Sequence, residues 1–190
     1  MNSKVIEAHI QNNIIVKEAV LKQCIPSIEE AAEAIVSAVN SGNKILFFGN
    51  GGSASDSQHL AAEFVGRYET ERRPLPAIAL TTDTSIITAV ANDYGYDTIF
   101  ERQIIALGVS GDVAVGISTS GNSANVNLAI IAAKKQGLKT IGFSGNDGGE
   151  LAKLVDTSIN IPSNTTAHIQ EAHIMVGHVL CKLVDLSQII

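Results

Sequence analysis

The sequence predicts an α/β fold: a doubly wound, five-stranded parallel sheet with helices on both faces, preceded by two N-terminal helices. Three observations carry this. From residue 44 onward, short apolar runs alternate with longer helical patterns, as expected of strands buried on both faces. Two of these runs lead into turns rich in glycine or serine that open directly into a helix. The first 42 residues hold helical patterns only.

In order, residues 3–24 read as an amphipathic helix with Ile6, Ile10, Ile14 and Leu21 near one stripe. Pro26 interrupts it. Ser27-Ile28-Glu29-Glu30 has the form of a capping box that starts a second helix, ending at Asn40-Ser41-Gly42. Residues 1–42 are therefore a helical extension whose apolar stripes need a partner, either the core or another subunit. Residues 43–190 are the α/β core, and the whole chain, 1–190, is expected to be one domain. Strand 44–48 is followed by helix 53–66, and strand 77–81 by helical stretches near 84–91 and 97–107. Strand 112–117 precedes helix 123–136; strand 139–144 precedes a short helix near 149–154. Strand 157–161 leads to a final helix from about 166 to the C-terminus.

The chain of 190 residues is 45% hydrophobic with a formal net charge of −6. That balance argues against non-specific nucleic-acid binding, which needs clustered Lys and Arg. Cys24 and Cys181 lie far apart in helical patterns and form neither a metal spacing nor a disulfide framework, so a reducing, cytoplasmic setting is expected. The N-terminus is charged and amphipathic, with no apolar signal region. The uncharged stretch Val113 to Ala133 contains Ser, Asn and Gly, so no membrane span is expected.

In open parallel sheets, ligands bind beyond the carboxyl ends of the strands, and three loops come into question. The first is Gly49-Asn50-Gly51-Gly52-Ser53, a strand–glycine turn–helix arrangement that aims backbone N–H groups and a helix N-terminus at an anion. On its helix, His59 and Glu63 are four residues apart and share a face. The second is Ser118-Thr119-Ser120-Gly121-Asn122-Ser123: hydroxyls before a helix start, with no Lys or Arg. The third is Ala91-Asn92-Asp93-Tyr94-Gly95, whose Asn92 and Asp93 could bind sugar hydroxyls or form an Asx-type turn. In the final helix, Gln170, Glu171 and His178 fall within a quadrant of one side, while His173 reads as structural. An anion cradle beside a histidine–carboxylate pair suggests chemistry on a phosphorylated small molecule. Gly49-x-Gly51-x-x-Ala54 also satisfies the dinucleotide fingerprint, but the acid that should close the second strand arrives late, at Asp83, and the second anion loop stays unexplained.

Over nearly its whole length the chain resembles the phosphoheptose isomerases, within the sugar isomerase (SIS) domain family. The resemblance rests on Phe48-Gly49-Asn50-Gly51-Gly52-Ser53, on His59-x-x-x-Glu63 with Gly66-Arg67-Tyr68, and on Ala91-Asn92-Asp93. It continues through Gly116 to Ser123, Ser144 to Gly149, and Ile169-Gln170-Glu171 with His178. It implies a SIS, flavodoxin-like fold and a cytoplasmic homotetramer with active sites at subunit interfaces. It also implies conversion of sedoheptulose 7-phosphate to D-glycero-D-manno-heptose 7-phosphate, the first step toward the activated heptoses of bacterial surface polysaccharide such as lipopolysaccharide.

Carried over by position, the resemblance makes Ser118, Thr119, Ser120 and Ser123 the phosphate loop. Asn50, Gly51, Gly52, Asn92 and Asp93 become substrate contacts, with Ser53 and Arg67 as further candidates. Glu63 becomes the catalytic base and His178 its acid/base partner. His59, Glu63, Gln170 and His178 match positions that bind one zinc ion, Zn2+, in family members; a Gln ligand is unusual. Ketose–aldose isomerisation needs such a set: one group moves a carbon-bound proton, another services the oxygens, and a donor or cation steadies the charge on the carbonyl oxygen. The chain departs from the family at Thr166-Ala167-His168, where relatives commonly carry Thr-Ala-Arg. The alternative is a non-catalytic tetrameric SIS-type factor that binds the replication initiator; that sister group lacks counterparts of Glu63 and His178. A phosphosugar-sensing module would bring a DNA-binding domain or basic patch, and neither is seen in this sequence.

Overall fold

The structure, a computed structural model, describes residues 2–188. Helices α1 (Ser3–Gln23) and α2 (Ile25–Asn40) lead into strand β1 (Ile45–Gly49) and helix α3 (Gly52–Val65). Strand β2 (Ala77–Ala79) is followed by α4 (Thr84–Tyr94), a single 3-10 turn (Tyr96–Thr98) and α5 (Ile99–Leu107). Then come β3 (Val113–Ile117), α6 (Ala124–Lys135), β4 (Lys139–Gly145), α7 (Leu151–Leu154), β5 (Thr157–Ile161) and α8 (Thr166–Ser187). The expected end of the last helix at the C-terminus includes Ile189 and Ile190, which lie outside the described residues. No helix among the described residues is long and apolar enough to cross a membrane.

All strand pairs are parallel, in the order β2-β1-β3-β4-β5. The order reverses between β1 and β3, whose carboxyl ends stand side by side, with Phe48 opposite Gly116 and Gly49 opposite Ile117. This is the switch point at which a flavodoxin-like sheet opens a crevice for ligands. Successive residues of β1 go to opposite faces. Ile45 and Phe47 join the core beneath α1, α2, α3 and α8, with Phe64, Ile169, Val176 and Leu180. Leu46 and Phe48 join the core beneath α5, α6 and α7, with Phe100, Ile104, Val126 and Leu151.

Three sequence expectations are corrected. The capping box at Ser27 does not start α2. The helix begins at Ile25, because Pro26 fits a first turn where its missing N–H costs nothing, and the Ser27 hydroxyl donates back to Cys24 O at 3.0 Å. Strand β2 stops at Ala79, where the chain turns. The third expected loop is helix: Ala91 to Tyr94 form the last turn of α4, and only Gly95, with φ of 91°, leaves it. Along α1, Ile6, Ile10, Ile14 and Leu21 are exposed, whereas Val16 and Val20 meet the core. The apolar stripe thus points away from the chain's own core.

Candidate functional site

The site is built at the β1/β3 switch point. At Gly49 a Cβ would stand 2.7 Å from Ile117 O and 2.8 Å from Ser53 Cβ, so only glycine lets β1 end against β3 and turn into α3. Gly51 takes the left-handed φ of 56° that starts α3 at Gly52. A Cβ on Gly52 would meet Gln170 Cγ at 3.3 Å, so α8 lies over this turn. Ser53 is buried, and Ser57 Oγ donates to its carbonyl at 2.8 Å.

The second loop is folded on itself. Ser118 Oγ and Ser123 Oγ are 2.9 Å apart, and Ser120 Oγ accepts from Asn122 N at 3.2 Å. Thr119 O accepts from Asn146 Nδ2 at 3.3 Å. Ser123 precedes α6 but makes no side-chain capping bond, so its hydroxyl stays with the loop. The two loops are tied together by Asn50 and Asn125: each amide donates to the other's oxygen at 2.9 Å. Tyr96 OH adds a bond to Asn50 Oδ1 at 3.1 Å.

Farther along α3, His59 Nε2 lies 2.8 Å from His178 Nε2 of α8 and 3.4 Å from Glu63 Oε1. His178 also stacks on Tyr68, ring centroids 5.4 Å apart. The close approach of α3 and α8 has a local cause: a Cβ at Gly177 would sit 2.6 Å from Leu60 Cδ2. Two imidazole nitrogens this near share one proton or one cation; both cannot carry N–H toward the other.

The four residues expected to share a metal are not all together. Gln170 Nε2 instead donates to Asp56 Oδ1 at 2.7 Å. Glu171 and His178 line one cavity of about 450 Å³, but no hydrogen bond joins Gln170, Glu171 and His178 to one another. Glu171 turns to α1, where it meets His9 at 3.5 Å and accepts a bond from Asn13, and it lies 3.1 Å from His168. Helical spacing gave these residues a common side, but the neighbouring helices draw each one off separately. Asn92 and Asp93 are exposed on the end of α4, the Asn92 amide donating to Asp93 Oδ1 at 2.8 Å. Arg67 lies at the surface beside Glu71, 3.4 Å away. His173 is fully buried with Nε2 2.9 Å from Ser144 O; burial lowers it to about 4, so it is neutral and donates.

Several residues joined to the site were not singled out from sequence. Asp56, one turn before His59, is buried, and its carboxyl is pushed up to about 6 by burial, against the opposing pull of the Gln170 hydrogen bond and the His59 charge. Asn125 and Tyr96 carry no motif of their own. Arg72 and Asp185 form a buried ion pair at 2.7 Å that braces the end of α3 through Arg72 Nη2 donating to Glu63 O at 2.9 Å. Burial would raise Asp185, but hydrogen bonds from the Thr70 and Glu69 amides and from Arg72 outweigh it and hold the carboxyl below its usual range.

The SIS domain family model matches residues 9–145. The chain is 52% identical over 182 residues to a phosphoheptose isomerase of Clostridium acetobutylicum, covering 95% of this chain and 93% of that relative. It is 55% identical over 170 residues to one of Aquifex aeolicus, covering 90% and 89%. Among solved structures, a phosphoheptose isomerase from Neisseria gonorrhoeae superposes with a TM-score of 0.92 at 44% identity, covering 97% of this chain and 98% of that one. Another from Francisella tularensis gives 0.94 at 38% identity, covering 98% and 100%. The chain therefore belongs to the SIS domain family and, within it, to the phosphoheptose isomerases.

Proposed function

We propose that this chain isomerises sedoheptulose 7-phosphate to D-glycero-D-manno-heptose 7-phosphate through an enediol. The observation that carries the reading is the His59–Glu63–His178 cluster on α3, the helix that leaves the switch point, and on α8, in a chain half identical to proteins named for this activity. Glu63 moves the proton between C1 and C2, and His178 services the oxygens. The Ser118–Ser123 loop holds the phosphate through hydroxyls and the start of α6, with Ser118, Thr119, Ser120 and Ser123 as donors. Asn50, Gly51, Gly52 and Ser53 orient the sugar, and Asn125 fixes Asn50. Remote phosphate binding supplies the positioning of C1 and C2. Asn92 and Asp93 stand at the exposed end of α4; their part is contact with substrate at an interface between subunits.

The donor types of His59, Glu63 and His178 fit zinc; His59 is close to both of the others, but Glu63 and His178 are not close to each other, so these side chains would have to rotate to hold one ion. Gln170, the fourth candidate, is engaged by Asp56. When bound, zinc would supply polarisation of the carbonyl oxygen or hold the three side chains in place. We further propose one domain over 1–190 with 1–42 as the packing extension. The exposed α1 stripe and an apolar groove of about 510 Å³, lined by Leu21, Ile25, Ile28, Met175 and Val179, support a homotetramer. A cytoplasmic place at the head of surface-polysaccharide heptose synthesis completes the reading; nucleic acid and membrane have no part in it. The initiator-binding alternative has no observation in its favour, since Glu63 and His178 are both present and both at the cluster. The test is turnover of sedoheptulose 7-phosphate, with chelator and then with added zinc. No conversion by intact protein under any metal would overturn the reading.

A further inference from the structure

We propose that His9, His168 and Glu171 form a second divalent-metal site, separate from the His59–Glu63–His178 cluster, which clips α1 to α8. These side chains are the one group of three or more His, Cys, Asp or Glu among the described residues whose ligand atoms all lie within 4.8 Å of one another. His9 comes from α1; His168 and Glu171 are three apart on one face of α8. His9 Nε2 lies 3.5 Å from Glu171 Oε1, and His168 Nδ1 lies 3.1 Å from Glu171 Oε2. The two imidazole rings are 4.5 Å apart at their centroids. Ligands held about 2.1 Å from a tetrahedral ion stand about 3.4 Å from one another. The two separations from Glu171 bracket that edge, and the ligand atoms of all three side chains lie within 4.8 Å of one another, so side-chain rotation can bring them onto one ion.

The donor set chooses the ion. Two imidazoles and one carboxylate suit the zinc class, Zn2+, Co2+ or Ni2+, whereas Ca2+ and Mg2+ prefer oxygen ligands. Asn13 donates to Glu171 Oε2 and fixes the carboxylate from outside the ligand set. His168 is buried and held in place, while His9 is exposed. A cavity of about 490 Å³, lined by His9, Asn13, Gln170 and Glu171, gives entry and leaves room for water as a fourth ligand. Without metal, the same side chains are a hydrogen-bonded clamp between the two helices. With metal, the clamp stiffens one residue from Gln170.

The experiment measures Zn2+ uptake by chelator-stripped full-length protein. The background is His59→Ala, which disables the other cluster without touching this one. Zn2+ bound per chain and the thermal shift on its addition are compared with those of His9→Ala/His59→Ala and Asn13→Ala/His59→Ala. His9 and Asn13 lie on the outer helix, so both variants fold. The site predicts loss of one equivalent and of the shift with His9→Ala, and binding about 10-fold weaker at unchanged stoichiometry with Asn13→Ala. Anomalous scattering from a zinc-soaked crystal should place an ion between His9 and Glu171. Equal uptake and equal shift with and without His9 would overturn the proposal and leave the clamp alone. Failure of zinc at the other cluster would appear separately, as wild-type protein binding no more than His59→Ala.

Discussion

Gln170 Nε2 donates to Asp56 Oδ1 across 2.7 Å, and the other oxygen of this buried carboxyl has no partner among the described residues. Burial raises Asp56 from 3.8 to about 6. Between those values the folded chain holds a proton that the unfolded chain releases. This residue's contribution therefore favours folding at the acid end and falls as pH rises through about 6. Asp56→Asn removes that slope and keeps an acceptor for Gln170. Urea unfolding across this range should show the variant gaining on the wild type up to about pH 6 and holding a constant lead above it. Parallel profiles would contradict the buried, protonating carboxyl.

The reciprocal Asn50–Asn125 pair ties the two loops together at 2.9 Å. Asn125→Ala strips the half-buried Asn50 of a donor and an acceptor, at a cost of about 1 kcal/mol. Steady-state kinetics with a phosphorylated ketose should show a rise in KM larger than the fall in kcat, because the pair positions the loops and leaves the reacting groups alone.

Gly121 has φ of 68°, and a Cβ there would lie 2.0 Å from Gly148 O. Backbone cannot yield as a flexible side chain does. Gly121→Ala should therefore cost about 2–4 kcal/mol, read by chemical denaturation, and weaken phosphate binding by displacing the loop.

The Arg72–Asp185 pair is nearly inaccessible to solvent, and Arg72 also donates to the carbonyls of Glu63, Phe64 and Gly66. Arg72→Met leaves a buried carboxylate unpaired and should cost about 3–5 kcal/mol in unfolding measurements. Arg72→Lys should recover little of it, because one ammonium cannot replace the guanidinium fork.

The parts legible in the sequence are those with local causes. Strand β1 shows as an apolar run, and its turn as glycines that the backbone geometry requires. Read from sequence, helix α4 ends early because its apolar positions, Ile87, Val90 and Ala91, stop at Ala91, and Asn92-Asp93 mimics a turn, whereas the helix runs on to Tyr94. The start of α2 was misplaced because Pro26 can break a helix or sit in its first turn; the neighbouring chain decides. His59 and Glu63 were legible from helical spacing. Asp56 was not: it looks like a surface residue of α3 and is buried where α8 lies over Gly52, with Gln170 on its carboxyl and Gly177 letting Leu60 come close. Arg72 and Asp185 are 113 residues apart, and only the completed fold joins them.

The central claim is that Glu63 moves the carbon-bound proton. The most direct measurement is turnover of sedoheptulose 7-phosphate by wild type and Glu63→Gln, with melting temperature and substrate binding followed in parallel. The amide keeps the shape but cannot accept the proton, so turnover should fall by about 10²–10⁴-fold or more while fold and binding persist. Turnover near the wild-type rate, or loss of the fold in place of loss of chemistry, would contradict the assignment.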